Sequence, residues 1–406
     1  MTAIVRVILC NAASPNCQTS LQMKKILICA VPFSDNLGDG VIAASLAHIA
    51  GLKYPDAKVE FLDIAGRHGF DEQNLRGGGA FGVFQKMPAL VRSAIVFAYC
   101  LKNYLQSWRK HWQAAIADAD LVIVGGGQLF CDVALNFPAK LFLLSRLLRG
   151  KRVAVVSVGV TAKWSYWGQF LVGKFFKNAA PVFFATRDAE SARNLHDFFK
   201  IPRPAIQVVP DPALVCEGAF AGELSPDKKW DVGICVSSLD ALVMNSEYQE
   251  GTRARGSADF FSNLADSLRA EGARILYFTN GAAEDNRVLA EISSRPAAQE
   301  RASFLVPKRP DDLVELISAC SCIAAHRLHA NIVAYSLNIP SVGMNWDKKV
   351  ESFFQLTGRT QYLFDLSPRA DELKASVLNL LNEKNPDRRR LDELRGEVIA
   401  GTHALI

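Results

Sequence analysis

The 406-residue sequence contains no apolar run near the ~20 residues that a membrane-crossing helix needs, so a bundle of spanning helices is excluded. Its opening, MTAIVRVILCNAAS, has one arginine and a short apolar stretch, too little for a secretory signal. The 9 cysteines form no CxxC pair and stand in no His/Cys spacing suited to zinc. Cys320 and Cys322, two residues apart, fit neither a metal knuckle nor a disulfide within a strand, so buried thiols of a cytoplasmic protein are expected. No GxGxxG follows the first strand and no Walker A pattern occurs, which argues against NAD and P-loop nucleotide binding. No internal repeat, heptad run or nucleic-acid motif is present either. Acidic residues are scarce in one region: from Gln73 to Arg187 only Asp118, Asp120 and Asp132 oppose 15 Lys and Arg, although the whole chain is only +5. Charge segregated in this way implies an anionic partner for that half of the molecule.

What is present is an alternation of short apolar runs with helical patterns, enough for two globular domains. Strands are predicted over Lys25–Val31, Val59–Leu62, Leu121–Val124, Val153–Val158, Val182–Ala185 and Gln207–Val209. A second series covers Asp231–Val236, Arg274–Phe278, Phe304–Val306, Cys322–Ala325 and Ser341–Met344. Pro32 to Gly40 reads as a loop and Val41 to Ala50 as a helix; Asp71 to Gly82 reads as a polar, glycine-rich loop. The expected domains are an N-terminal unit over 23–217, with a basic, aromatic insert at 83–117, and a C-terminal unit over 230–365. Terminal helices follow over 366–406, and residues 1–22 are expected to be a disordered extension or a mis-called start, since Met23-Lys24-Lys25 looks like a natural opening. The expected fold is α/β, two Rossmann-like domains facing a cleft.

The strand ends carry the chemistry. The run Cys322–Ala325 stops at His326-Arg327-Leu328-His329, and a helical pattern follows; Ser341–Met344 stops before Asp347-Lys348-Lys349. In open parallel sheets ligands sit outside the carboxyl ends of strands, and a helix start there offers N–H groups and partial positive charge. Arginine adds a planar fork for carboxylate or phosphate. Histidine, which titrates near 6.5 in model peptides, can move protons in either direction. Gly125-Gly126-Gly127, Arg187-Asp188 and Pro210-Asp211-Pro212 end three strands of the first series in the same manner. The basic segments Pro88–Trp112 and Trp164–Lys177 mix cations with Ile95, Tyr99, Tyr104, Trp108, Trp167 and Phe170, and read either as membrane-surface helices or as core helices with solvated lysines.

Four motifs in order, Asn36-Leu37-Gly38-Asp39, Asp120 to Gly127, Arg187-Asp188 with Ser191 and Pro210-Asp211-Pro212, and Arg327-Leu328-His329 with Pro340 and Asp347-Lys348, resemble the polysaccharide pyruvyl transferase family from about Lys25 to Arg359. The resemblance implies a GT-B-like fold. It implies transfer of a pyruvyl group from phosphoenolpyruvate to two hydroxyls of one sugar, with no cofactor and no metal. It places donor binding and catalysis on Arg327, His329 and Arg187. Lys348, Lys349, Asn36, Gly126, Gly127 and Asp211 are then candidates for substrate binding. Asp39 is a second acid–base candidate, although Asp39 and Asp211 equally suit helix capping. The acceptor would be a saccharide, expected to be lipid-linked at the inner-membrane surface, and no nucleic acid is expected. A GT-B glycosyltransferase using a nucleotide sugar and a non-catalytic assembly protein are the alternatives. Gly159 to Trp164 departs from the glycine- or proline-containing turn usual in the family, as does the insert after Gly82.

Overall fold

A computed structural model describes residues 23–70, 87–245, 256–295, 302–382 and 388–406. The extension expected over 1–22, the glycine-rich loop over 71–82 and residues 83–86 of the insert lie outside the described residues. The chain divides into two compact units, one of 1–32, 42–212 and 397–406, the other of 33–41 and 213–396. Phe33–Val41, the segment after the first strand, thus groups with the second unit, and the end of the last helix with the first.

The first unit is built on a six-stranded sheet in the order β2-β1-β3-β4-β5-β6. Its strands are β1 (Lys25–Ala30), β2 (Lys58–Asp63), β3 (Leu121–Gly125), β4 (Val153–Val158), β5 (Phe183–Thr186) and β6 (Ile206–Val208). All are parallel. Strands β3 and β4 are buried at every position, the continuous apolar run expected of a sheet covered on both faces. Helix α1 (Leu37–Lys53) starts four residues before the expected Val41, because the Asn36-Leu37-Gly38-Asp39 motif is itself the helix start. The connection from β2 to β3 is one long helical run: α2 (Ala89–Asn103), a π turn (Tyr104–Trp108) and α3 (Arg109–Ala117). Then come α4 (Asn136–Ser145), α5 (Tyr166–Ala179) and α6 (Ala189–Phe199). The chain moves one way from β1 to β2 and then back past β1 to β3 and onward. Right-handed crossovers therefore put α2 through α6 on one face of the sheet. There α2 packs on α4 and α4 on α5.

The aromatic insert is mostly core. Cys100, Tyr104, Trp108, Trp112 and Ile116 recur every four residues and are all buried, with Trp108 stacked on Trp112 at 5.4 Å between ring centroids. A straight α-helix drifts off a period of four, and the wider π turn at Tyr104–Trp108 keeps the stripe facing inward. Leu171, Phe175 and Phe176 of α5 are likewise buried. Of the two readings of these segments, the core reading holds for the largest rings, which join the buried cluster of this unit. Leu90, Val91, Ile95, Tyr99 and Leu105, with Tyr166, Trp167 and Phe170, remain exposed.

The second unit repeats the plan with the order β12-β11-β10-β7-β8-β9. Its strands are β7 (Trp230–Cys235), β8 (Ile275–Phe278), β9 (Ser303–Leu305), β10 (Cys320–Ala325), β11 (Ser341–Met344) and β12 (Leu363–Phe364), all parallel. The helices are α7 (Leu239–Asn245), α8 (Ser257–Arg269), α9 (Ala283–Ser293), α10 (Pro310–Ser318), α11 (Leu328–Ser336), α12 (Lys348–Leu356), α13 (Ala370–Asn382) and α14 (Arg388–Leu405). The strand order reverses between β7 and β10, the position where open α/β sheets place ligands.

Candidate active site

In the second unit the switch-point strand β10 runs straight into His326, Arg327 and α11. Arg327 occupies the N-cap position with extended backbone, and His329 lies in the helix's first turn with 8% of its surface exposed. The ring of His329 faces Gly38, the glycine of the Asn36–Asp39 motif: a Cβ built on Gly38 would collide with its Cγ, Nδ1 and Cβ. Asn36 anchors that segment, its Oδ1 accepting from Asn280 Nδ2, while Leu37 N–H donates to the Asn280 carbonyl at 2.9 Å. Asp39, half-buried, sits in the first turn of α1. Asn36, Gly38 and Asp39 are thus brought into the unit that holds His329. We predict that Gly38→Ala displaces the imidazole, since the colliding atoms lie at the root of the side chain. Overpacking of this kind costs about 1–3 kcal/mol. A shift of the ring near 1 Å should lower turnover by up to ~10²-fold with modest change in stability. Turnover at the wild-type level would dismiss this contact.

Arg327 is not a bare cation. Its Nε donates to Asp285 Oδ2 at 2.7 Å, and its Nη2 lies 3.4 Å from Glu284 Oε1. Burial alone would lower the guanidinium pKa; Asp285 and Glu284 more than offset it, and the pKa is raised. Asp285, wholly buried in the first turn of α9, also accepts from the Ser238 N–H just after β7, at 2.8 Å. One carboxylate therefore ties the ends of the two switch-point strands together. Neither Asp285 nor Glu284 is among the residues expected from sequence; both stand in the first turn of α9. Lys348 and Lys349 open α12, which Asp347 caps by accepting from the Lys349 N–H at 3.1 Å. Lys348 is exposed, and the Lys349 ammonium lies 4.3 Å from the Trp346 ring centroid. Trp346 in turn donates its indole N–H to the His326 carbonyl at 2.8 Å.

His326, adjacent to Arg327, is structural. It is fully buried, and its Nε2–H donates to the Leu366 carbonyl at 2.8 Å. Burial pushes its pKa down to about 4. The unfolded chain takes up this proton near pH 6.5, the folded chain only near 4. The stabilisation is therefore intact above pH 6.5 and is lost as pH falls between those values, by roughly 3 kcal/mol at pH 4. Urea midpoints should fall over that range, and less steeply in His326→Gln; parallel profiles for the two proteins would reject this account.

In the first unit Gly125-Gly126-Gly127 closes β3, next to the point where that sheet's order reverses. Gly126 has φ +78°, a backbone that side chains resist, and a Cβ there would strike Ile42 of α1. Gly127 accepts from the Gly159 N–H at 2.9 Å. A Cβ on Gly159 would sit 2.9 Å from Cζ of Arg187. The ends of β3, β4 and β5 thus bring Gly127, Gly159 and Arg187 together. Arg187 is mostly buried, with its Nε 3.3 Å from Asp188 Oδ2. Asp188 caps α6, accepting from Ser191 N–H at 2.6 Å. Asp211, 7% exposed, follows β6. Among the described residues no group of three His, Cys, Asp or Glu could hold a metal ion.

The model of the polysaccharide pyruvyl transferase family matches residues 36–348. The chain belongs to this family. The matched span begins at Asn36 and ends at Lys348, so it contains the Gly38–His329 contact and every candidate residue except Lys349. No curated protein matches the chain. Among solved structures it is similar to UDP-GlcNAc 2-epimerase from Neisseria meningitidis bound to UDP-GlcNAc, at 11% identity and a TM-score of 0.53, covering 94% of this chain and 98% of that one. It is also similar to the UDP-GlcNAc 2-epimerase from Methanocaldococcus jannaschii, at 12% identity and a TM-score of 0.50, covering 93% and 98%. At such identity the likeness establishes the fold alone, the GT-B-like pair of Rossmann-like units read from the strand pattern.

Proposed function

We propose that this pyruvyl transferase family member moves the pyruvyl group of phosphoenolpyruvate onto two hydroxyls of one sugar, forming a cyclic ketal and releasing phosphate. The observation that carries the reading is the turn after β10, where Arg327 and His329 open α11 at a switch point and Gly38 backs the imidazole. Protonation of the donor's methylene makes C2 electrophilic. The first sugar hydroxyl then adds at C2, the C2–O bond to phosphate breaks, and the second hydroxyl closes the ring. Of the two hydroxyl protons, one becomes part of the new methyl group and the other leaves with phosphate. His329 is the group we assign to proton transfer, with Asp39 as its partner on the acceptor hydroxyl.

The donor carries about three negative charges near neutral pH. The Arg327–Asp285–Glu284 cluster is itself net negative, so Arg327 offers its Nη1 edge and geometry more than net charge. We assign the remainder to Lys348, Lys349 and the N–H groups opening α11, with Arg187 as a further cation for the donor. Asn36, Gly126, Gly127 and Asp211 we assign to substrate contact. The acceptor in this reading is a lipid-linked saccharide met at the cytoplasmic face of the membrane. The test is phosphate release from phosphoenolpyruvate with and without a lipid extract of the host. Release that requires the extract supports the proposal. No release, with thermal stabilisation by a nucleotide sugar and none by phosphoenolpyruvate, defeats it.

A further inference from the structure

No helix among the described residues is long and apolar enough to cross a membrane. One face of the first unit nevertheless has the composition of a surface that lies on one. Along α2, Leu90, Val91, Ile95 and Tyr99 are exposed, Leu90 by 75%. At the start of α5, Tyr166, Trp167 and Phe170 are exposed, Tyr166 by 75%, in a chain of edge-on ring contacts from 166 to 167 to 170. Between them Val133 is exposed in the loop that leads into α4.

Topology places these residues together. Helices α2, α4 and α5 are neighbours on one face of the sheet. Helix α5 and the Val133 loop follow the carboxyl ends of β4 and β3 directly. The α2–α3 run ends at the amino end of β3 and is roughly 40 Å long, about twice the length of a six-residue strand. Its first turns therefore reach the carboxyl side as well. The loop of Val133 is fastened to the start of α5 by Asp132, whose Oδ2 accepts from the Ser165 N–H at 2.9 Å and its hydroxyl at 2.6 Å.

Cations dominate this face, where the Asp132 carboxylate is held by Ser165. From Ala89 to Ala117, along α4, and from Tyr166 to Ala179 there is no Asp or Glu. Lys102, Arg109 and Lys110 are exposed along the α2–α3 run, as are Lys163 just before α5 and Lys177 in its last turn. Lys174 reaches over the Phe170 ring at 5.1 Å, its stem along the apolar surface and its head in solvent. A protein partner would call for an apolar patch rimmed by mixed charge. Aromatic and aliphatic side chains among unopposed cations match the headgroup layer of an anionic bilayer.

We propose that the outer face of α2 and α5 is a docking surface for anionic lipid bilayers. Its purpose, bringing the enzyme to a lipid-linked acceptor, rests on the function proposed above; the docking itself is measured with no substrate present. The probe is co-sedimentation with vesicles of phosphatidylglycerol and phosphatidylcholine, beside vesicles of phosphatidylcholine alone. Binding to the anionic vesicles should exceed that to the neutral ones by about 10-fold or more, because each cation near such a surface changes partitioning about fivefold. Two double variants test the two components: Lys102→Glu with Arg109→Glu, and Ile95→Ser with Trp167→Ser. All four side chains are exposed, so thermal midpoints should hold while binding falls by about 25-fold or more in the charge pair, at about fivefold per cation lost, and by about 10-fold in the apolar pair.

No sedimentation with anionic vesicles, or equal sedimentation of the variants, overturns the proposal. So does a wild-type dimer, seen by light scattering, that both variants render monomeric without any change in lipid binding; that result makes the face a contact between copies. Vesicle binding without phosphate release from phosphoenolpyruvate leaves docking standing and removes the proposed chemistry, and the reverse pattern removes docking alone.

Discussion

His329→Ala should lower acceptor-dependent phosphate release from phosphoenolpyruvate by about 10²–10⁴-fold, the usual worth of one positioned acid–base group. Binding of the donor, read by thermal shift, should change little, because the cations and helix N–H groups that meet its charge remain. The imidazole is nearly enclosed, pressed by Gly38 and fixed in the first turn of a helix that is buried throughout. That enclosure holds the ring in one pose, which proton transfer needs. His329→Gln, which keeps hydrogen bonding but cannot carry the proton, should recover stability and little turnover. If His329→Ala releases phosphate at a tenth of the wild-type rate or more, the imidazole is not the proton carrier, and Asp39 becomes the first candidate.

The second large effect is on stability. Asp285→Ala should cost about 3–5 kcal/mol, the cost of leaving one member of a buried ion pair alone. Two groups lose their partner at once, Arg327 Nε and the Ser238 N–H, and with them goes the side-chain tie between the ends of β7 and β10. Arg327→Ala should cost a similar amount, since it strands a carboxylate of zero exposure. Loss of activity in Arg327→Ala is therefore ambiguous by itself. The double variant Asp285→Leu with Arg327→Met separates the two causes, because apolar replacement of a buried pair is often neutral or stabilising. Its urea midpoint should return to within about 1 kcal/mol of wild type, while phosphate release stays lost. A midpoint for Asp285→Ala equal to wild type would show that the pair is not structural.

Much of the fold is legible in the sequence, because parallel strands covered on both faces read as short apolar runs ending in Gly, Arg or Asp. Val153–Val158 and Ser341–Met344 match residue for residue. The start of α1 was less legible, since Gly38 and two polar neighbours look like loop until the helix is seen to begin among them. The candidate residues stand at strand ends because the strands can be read. Their pairings cannot be read, because Asp285 meets Arg327 across 42 positions and Gly38 meets His329 across nearly the whole matched span. In the insert, composition left a surface and a core reading open, and the spacing of four from Cys100 to Ile116 is what marks the inward stripe.

The grouping of Phe33–Val41 with the second unit has a consequence for synthesis. The ribosome makes these residues early, while the partners they need, Asn280 and His329, emerge only after more than half of the chain has been added. Until then the Asn36–Asp39 segment lacks these two partners, and the start of α1 must wait without them. Completion of the turn that holds His329 against Gly38 is thus coupled to synthesis of the second unit. A truncated product ending before β10 would lack His329, and a fragment starting at Ala213 would carry His329 without the glycine that seats it.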